Sequence, residues 1–377
     1  MKTSYFQTTF LTGMPSEKRS KKRVLLLCPH PEGYVPGQRL KYEQYLDIFR
    51  EEGFEVTVSP FMSEAFQKIV YTKGRNVQKA FWTLAGYARR MMDLLRIRRY
   101  DVIYVFLWVT PFGPPLFERL VRLLSRRMVY DIDDMIYLQD HRSQANPLIS
   151  KLKGKNKPVY LFRVADTVIT STDSIEDFAR RLNPNVVHIP VTINTRIYTP
   201  RIDYKLAGQQ LVLGWTGSYS TSPYLHLLDD VLRKLREKFD FRLLVMGDEN
   251  FRIEGIDVQA IPWKESYEVE TIRRFDIGLY PLPVNDWVLG KGGGKALQYM
   301  ALGVPTVATG IGANFKIITP GVDGFLVKTD EEWIEALSAL MQDQSLRESI
   351  GKKGITTIEE KYSVNSNKFK YLQILNK

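Results

Sequence analysis

The sequence predicts an α/β protein built from two doubly wound domains that face each other across a cleft. Three observations lead to this prediction. The chain has 377 residues, which is too long for one ordinary core. Short apolar runs alternate with amphipathic helical segments, a pattern typical of parallel strands joined by helices. The strand-and-turn pattern that opens near residue 24 begins again near residue 211, after a polar stretch.

Residues 1–200 are predicted to form the first domain, from apolar runs of strand length near residues 24, 102, 128 and 167, with helical segments between them. One segment, 79–101, carries apolar residues at helical spacing with lysine and arginines interleaved. Such a helix either lies on an anionic bilayer or packs as a surface helix with solvated arginines.

Residues 201–360 are predicted to form the second domain, joined by a linker that ends near Gln210. Its strands are expected near residues 211, 241, 277, 305 and 324. The last segment, 361–377, is expected to be a helix that crosses back to the first domain. Ligands of doubly wound domains bind at the carboxyl ends of the strands, so the site is expected in the cleft.

The cysteine content and the apolar segments predict the cellular compartment of the protein. Cys28 is the only cysteine, which excludes an internal disulfide and favours a reducing compartment. The first 20 residues lack the apolar core of a signal peptide, and the longest apolar run, 102–109, is too short to span a bilayer. We therefore expect a cytoplasmic protein, either free or peripheral on the inner face of the cell membrane.

The net charge of +11 is concentrated in the first half of the chain. Residues 1–200 hold 31 Lys/Arg and 19 Asp/Glu, whereas residues 201–377 hold 22 and 23. A basic first half favours an anionic partner, such as lipid headgroups or a phosphorylated acceptor. Nucleic acid is not expected, because the basic residues follow no known RNA- or DNA-binding module. A solvated basic surface without a partner is the alternative.

The stretch "GKGGGKALQYM" at 290–300 predicts an anion site. Lys291 and Lys295 flank Gly292, Gly293 and Gly294, directly before a predicted helix. Flexible backbone, two ammonium groups and a helix N-terminus together suit a diphosphate. The Walker and dinucleotide-binding patterns both fail here, so neither ATP hydrolysis nor nicotinamide chemistry is indicated. The alternative is a glycine-rich turn with solvated lysines.

In the first domain, three charged residues are candidates for catalysis. Asp133 and Asp134 follow a predicted strand and would orient an acceptor hydroxyl or take up its proton, or else cap the following turn. Arg39 would pair with a leaving phosphate or an acidic acceptor, or else is an ordinary arginine at a helix start. No metal site is predicted, because the four histidines show no ligand spacing.

Four stretches of the second half, "VLGWTGSYST", "FDIGLYPLP", "GKGGGKALQYMALGVPTVAT" and "GVDGFLV", occur in an order and spacing that resemble a known family. The chain is similar to family 4-like glycosyltransferases (glycosyl transferases group 1), and "YDIDD" and "ADTVITS" of the first half agree with this. The resemblance implies the GT-B fold, which consists of two Rossmann-like domains facing a cleft. It also implies a nucleotide-sugar donor and a hydroxyl acceptor.

The resemblance assigns donor-binding roles. Lys291 and Lys295 would neutralise the diphosphate, and Pro262 and Trp263 would contact the base, although the Trp263 ring is equally expected in the core. The loop after the first strand of the second domain would approach the diphosphate through Gly214, Thr216, Gly217 and Ser218.

One departure from the family concerns the donor sugar. Two glutamates eight positions apart are frequent in the family, and here those positions are Gly290 and Gln298. Gln298 can still hydrogen-bond a ribose diol, whereas Gly290 offers no side chain to the sugar. Asn285 or Asp286 is the expected substitute for that contact.

The sequence therefore predicts a hexosyltransferase-type glycosyltransferase that retains the anomeric configuration and uses no cofactor or metal. The expected acceptor is a lipid-linked or glycan hydroxyl in the synthesis of polysaccharide, lipopolysaccharide or another cell-surface glycan, and an anionic membrane surface is a further expected partner. Two alternatives stay open at this point: a non-catalytic nucleotide-sugar-binding protein, and an epimerase or hydrolase on the same fold.

Overall fold

The computed structural model describes residues 22–138, 156–201, 203–204 and 210–377. Most of the predicted linker, residues 202 and 205–209, therefore lies outside the described residues, as do residues 1–21.

The first domain contains a six-stranded parallel sheet in the order β2-β1-β3-β4-β5-β6. Its central strands are buried on both faces, as their continuous apolar sequences predict. The strands are β1 (Arg23–Cys28), β2 (Glu55–Pro60), β3 (Val102–Phe106), β4 (Met128–Ile132), β5 (Thr167–Thr170) and β6 (Val186–His188).

The second domain repeats this architecture in the order β12-β11-β10-β7-β8-β9, again with parallel pairing throughout. The prediction of two doubly wound domains is thus confirmed. The strands are β7 (Leu211–Thr216), β8 (Phe241–Met246), β9 (Val258–Ile261), β10 (Ile277–Tyr280), β11 (Thr306–Thr309) and β12 (Phe325–Val327).

Helices cover both faces of each sheet. In the first domain they are α1 (Pro36–Arg39), α2 (Leu46–Glu51), α3 (Glu64–Val70), α4 (Asn76–Arg96), α5 (Leu116–Leu124), α6 (Asn156–Val164) and α7 (Asp173–Arg180). The later helices are α8 (Asp229–Arg236), α9 (Glu265–Arg273), α10 (Gly294–Ala301), α11 (Asn314–Ile317), α12 (Asp330–Gln342), α13 (Gln344–Thr357) and α14 (Val364–Asn376). Short turns of 3₁₀ helix occur at Glu43–Tyr45, Ile97–Arg99, Ser222–Leu228 and Asp286–Gly290, and a π-helical turn at Ile358–Tyr362. None of the helices in the described part of the chain is both long and apolar enough to cross a bilayer.

The two domains are joined by packing as well as by the linker. Leu40 and Val191 of the first domain belong to the same buried cluster as Leu297 and Met300 of α10. The last helix, α14, lies against the sheet of the first domain, where the ring of Tyr371 packs 4.5 Å from that of Tyr45. The cleft therefore lies between domains that are in direct contact.

Candidate functional site

The cleft lies where the carboxyl ends of the two sheets face each other. Strand β4 leads into Asp133 and Asp134 on one side, and α10 begins at Gly294 on the other. Arg39, at the end of α1, reaches the second domain from the first. The fold thus brings the predicted catalytic residues of both halves into one region.

Lys295 has no carboxylate partner among the residues that the structure describes. Its ammonium group lies over two aromatic rings, 5.2 Å from the centre of Trp215 and 5.4 Å from that of Tyr280, and makes no hydrogen bond or ion pair with any described residue. Desolvation and the nearby charge of Lys291 lower the pKa of Lys295 to about 8. An anion placed at the start of α10 would stabilise its charged form.

Lys291 instead bridges the two domains. Its ammonium nitrogen Nζ lies 2.9 Å from Oδ2 of Asp134, and also 5.3 Å from the centre of the Trp287 ring. Because both charged side chains are partly exposed, the pair is expected to contribute only about 0.2–1 kcal/mol to stability. A diphosphate would have to compete with Asp134 for this lysine.

Arg39 is likewise paired, with a residue that the sequence interpretation did not identify. Its guanidinium donates to Glu268 at 2.7 Å and approaches Glu265 at 3.4 Å. Although desolvation opposes ionisation, the ion pair with Arg39 and three further hydrogen bonds hold the pKa of Glu268 below its ordinary value. Arg39 is therefore not free in this structure to receive a leaving phosphate.

Glu268 also accepts hydrogen bonds from two side chains that were predicted to contact the donor. The indole Nε1 of Trp263 donates to Glu268 at 2.9 Å, and Nε2 of Gln298 donates at 3.2 Å and to the hydroxyl of Tyr198 at 2.8 Å. Trp263 is thus part of a polar network under the Arg39 guanidinium, while its ring packs against the buried cluster that contains Leu297. Pro262 is exposed beside it. Gln298 is buried, so contact with a ribose would require rearrangement of this network.

The glycines of the 290–294 loop allow close contact between the domains. A Cβ atom on Gly290 would lie 2.7 Å from Met135, and one on Gly292 would lie 2.5 Å from Val191. Gly293 has a left-handed backbone conformation (φ +72°) at the N-cap of α10. Domain packing thus explains the glycines at 290 and 292, and the backbone conformation explains Gly293.

The loop after β7 differs from its predicted role. The backbone N–H groups of Thr216, Gly217 and Ser218 donate to Tyr299, Met246 and Thr221, respectively, so each amide already has an acceptor. The hydroxyl of Ser218 is exposed and hydrogen-bonded to Ser220 at 2.8 Å. Ser218 can contact a donor through its hydroxyl group, whereas contact through the three amides would require the loop to move.

Gly214, which was predicted to lie in the loop after β7, lies within the strand itself. It lies inside β7, paired with Gly278 of β10, and a Cβ atom there would come within 1.9–2.2 Å of the Phe275 ring. A glycine is needed because the aromatic ring packs directly on the strand. The Phe275 ring therefore explains why this position is a glycine, without any contribution from a donor contact.

Replacing Gly214 by alanine is expected to lower the free energy of unfolding by about 1–3 kcal/mol, because the added methyl group overpacks the Phe275 ring. Urea denaturation followed by circular dichroism measures this change. Ligand affinity of the folded fraction should stay unchanged. A variant of unaltered stability with reduced ligand affinity would restore the predicted donor role of Gly214.

Asp133 has the properties of a proton acceptor near neutral pH. It is partly buried, and its carboxylate makes no hydrogen bond to the residues the structure describes. Desolvation, followed by the charge of Asp134, raises the pKa of Asp133 to about 7. Such a group changes protonation in the range where acid–base catalysis is most effective.

Asn285 and Asp286 begin the 3₁₀ turn that leads into the glycine loop. Oδ1 of Asn285 caps this turn by accepting from Val288 N at 3.2 Å, while its Nδ2 is buried with no partner among the described atoms. Asp286 is exposed. A buried amide donor without an acceptor makes Asn285 the better candidate for the sugar contact.

The sequence spacing of the histidines predicted no metal site, but the fold places one histidine beside two acids. The fold brings His188 within 4.8 Å of Asp173 and Glu176, a group of residue types able to hold a metal ion. Asp173, however, pairs with Lys316 at 2.5 Å, and Glu176 pairs with Arg180 at 2.6 Å. Both carboxylates are therefore already neutralised by cations.

The carboxylate of Asp131 has structural partners and does not face the cleft. It is fully buried between Lys41, whose Nζ lies 3.3 Å from Oδ1, and the hydroxyls of Tyr104 and Tyr371. Its carboxylate therefore ties α14 and Lys41 to β4.

A cavity of about 300 Å³ opens on the β5–β6 side of the cleft. Ser171, at the end of β5, has a buried hydroxyl with no hydrogen-bond partner among the described residues. The cavity is lined by both domains, including Ser171, His188, Gly292, Gly312, Lys316 and Tyr362.

Two doubly wound domains that face each other across a cleft define the GT-B fold, and Lys295 lies at a helix start in this cleft. Residues 210–343, which lie in the second domain, match the family described as Glycosyl transferases group 1. The predicted resemblance is confirmed for this part of the chain.

Similar proteins agree with this classification. The capsular polysaccharide biosynthesis glycosyltransferase CapM of Staphylococcus aureus is 26% identical over 174 residues, and the alignment covers 42% of this chain and 44% of that protein. A sucrose-phosphate synthase from Thermosynechococcus elongatus shares the fold with a TM-score of 0.70 at 14% identity, over 94% of this chain and 98% of that one. HepE from Anabaena, solved with UDP and glucose, has a TM-score of 0.64 at 15% identity, over 94% and 99%.

Proposed function

We propose that this protein transfers a hexose from a nucleotide-diphosphate donor to an acceptor hydroxyl in cell-surface glycan synthesis. The observation that carries the proposal is Lys295, a partly buried ammonium at the N-terminus of α10 with no carboxylate partner among the described residues. The other two predicted cleft cations, Lys291 and Arg39, are each paired with an acid.

Lys295 suits the leaving diphosphate. When the glycosidic bond to the donor phosphate breaks, negative charge develops on the phosphate oxygen, and a desolvated ammonium stabilises that charge strongly. The first-turn amides of α10 point to the same region and add to the stabilisation. No step of this scheme calls for a metal or a cofactor, and retention of configuration is the expected outcome.

The donor sugar and its acceptor have separate candidates. Nδ2 of Asn285 would donate to a sugar hydroxyl, in place of the side chain that Gly290 lacks. Asp133 would accept the acceptor proton from the opposite side of the cleft. The relatives support a nucleotide-sugar donor and a glycan acceptor, since HepE was solved with UDP and glucose and CapM makes capsular polysaccharide.

Isothermal calorimetry against uridine, adenosine and guanosine diphosphates and their sugars tests the donor assignment. One nucleotide should bind clearly more tightly than the others, and its sugar should be transferred to glycan or lipid-linked acceptors. Tight binding without transfer to any acceptor would favour a non-catalytic binding protein. Release of free sugar without an acceptor would favour a hydrolase.

A further inference from the structure

The long helix α4 presents an apolar stripe to solvent. Its members recur at intervals of three and four residues, which places them on one side of the helix. Each of the large side chains is 50% to 85% exposed. The apolar stripe consists of Val77, Phe81, Leu84, Ala88, Met91, Met92 and Leu95.

The opposite side of α4 is fixed against the sheet and is partly polar. Gly86 lies under the ring of Phe61, where a Cβ atom would come within 2.6 Å. Arg90 is buried and donates to the carbonyl of Cys28 at 2.8 Å and to the carboxylate of Asp93 at 2.9 Å. Rotating α4 to bury the apolar stripe would expose these groups and break their hydrogen bonds. The stripe is therefore held outward by the fold itself.

Positive charge surrounds the stripe. Residues 65–100 contain nine Lys/Arg and a single acid, Asp93, which is buried. Several of the cations are exposed at the two ends of α4 and make no ion pair with a described residue, namely Lys68, Lys73, Arg75, Arg98 and Arg99. This part of the first domain thus presents an apolar centre with cationic ends and no exposed carboxylate.

We propose that this face of α4 docks in the plane of an anionic phospholipid bilayer. The apolar stripe would enter the boundary between headgroups and acyl chains, and the flanking cations would contact lipid phosphates. A second copy of the chain is a poorer occupant, because two such faces would bring like charges together. Nucleic acid would leave the apolar stripe uncovered. The proposal stands apart from the donor site, because no residue of the stripe belongs to the cleft.

Co-flotation of the full chain with vesicles tests the proposal. Binding is expected to vesicles of phosphatidylcholine with phosphatidylglycerol, and to be weak with phosphatidylcholine alone. The double variant Leu84→Glu/Leu95→Glu should weaken binding about tenfold or more, since both side chains lose apolar burial in the bilayer. Arg98→Gln/Arg99→Gln should also weaken binding about tenfold or more, and added salt should mimic this second change.

Matched control variants test whether vesicle binding depends on the α4 face in particular, rather than on any exposed apolar or cationic residue. Leu227→Glu/Phe369→Glu replaces two exposed apolar residues elsewhere, and Lys352→Gln/Lys353→Gln replaces two adjacent cations of α13, so both should bind as the parent does. Unchanged thermal unfolding of the α4 variants excludes misfolding. Equal binding by all variants, or no binding to anionic vesicles, would overturn the proposal. A dimer in light scattering that the Leu84→Glu/Leu95→Glu variant abolishes would assign the face to a second copy and overturn it too.

Discussion

Replacing Lys295 by glutamine is expected to weaken binding of the preferred nucleotide diphosphate by about 10- to 150-fold. The substitution removes a charge-assisted contact, typically about 1.5–3 kcal/mol, while its methylene groups still cover the rings of Trp215 and Tyr280. Calorimetry measures the change, with the exposed Lys353→Gln as the matched control. Equal affinity of the Lys295 variant and the parent would place the diphosphate elsewhere.

The pH dependence provides a second test of the same residue. Because the pKa of Lys295 lies near 8 in the free protein, its charged form is lost as the pH rises through that value. Bound diphosphate favours the charged form, so affinity should be constant below pH of about 8 and fall above it. Lys295→Arg should keep its charge and abolish this alkaline decline.

Replacing Asp133 by asparagine is expected to lower the transfer rate by about 10²- to 10⁴-fold, which is the usual contribution of a general base. Its pKa of about 7 means that the carboxylate is mostly charged above this pH and mostly protonated below it. The parent's kcat/KM should therefore fall below pH of about 7, and the asparagine variant should lack this acidic limb. Initial rates over a pH series measure both effects.

The affinity of the Asp133→Asn variant for the donor nucleotide is the control measurement for this prediction. Asp133 belongs to the first domain, so calorimetric affinity for the nucleotide diphosphate should be the same in Asp133→Asn and the parent. A variant that transfers sugar within about twofold of the parent rate would remove Asp133 from the mechanism. The acceptor proton would then go to a donor phosphate oxygen.

The buried carboxylate of Glu268 shows what the sequence could not reveal. Arg39, Trp263 and Gln298 were each interpretable by local pattern, but the fold of the second domain brings Trp263 and Gln298 to Glu268, and the packing of the two domains adds Arg39. Glu268 itself looks like any other acid in the first turn of a helix. No local periodicity or motif signals such a contact.

The sequence also could not reveal which side of the helix α4 is buried. Its spacing correctly predicted an amphipathic helix, yet periodicity cannot say which side faces the sheet. The buried side here includes charged residues, because the guanidinium of Arg90 donates to the carbonyl groups of Cys28, Ser59 and Val109. A pattern of side chains along one helix contains no information on the partner that it will meet.

The sequence by itself determined the two doubly wound domains and the order of strands and helices along the chain, since these depend on local periodicity and glycine placement. Anion binding by the stretch around Lys295 stays a prediction from its glycines and charge. The tertiary structure alone decided that Gly214 supports Phe275, that Lys291 pairs with Asp134 and that Lys295 stays without an acid. Contacts between residues far apart in the chain are fixed by how strands, helices and domains pack, and that packing is a property of the whole chain.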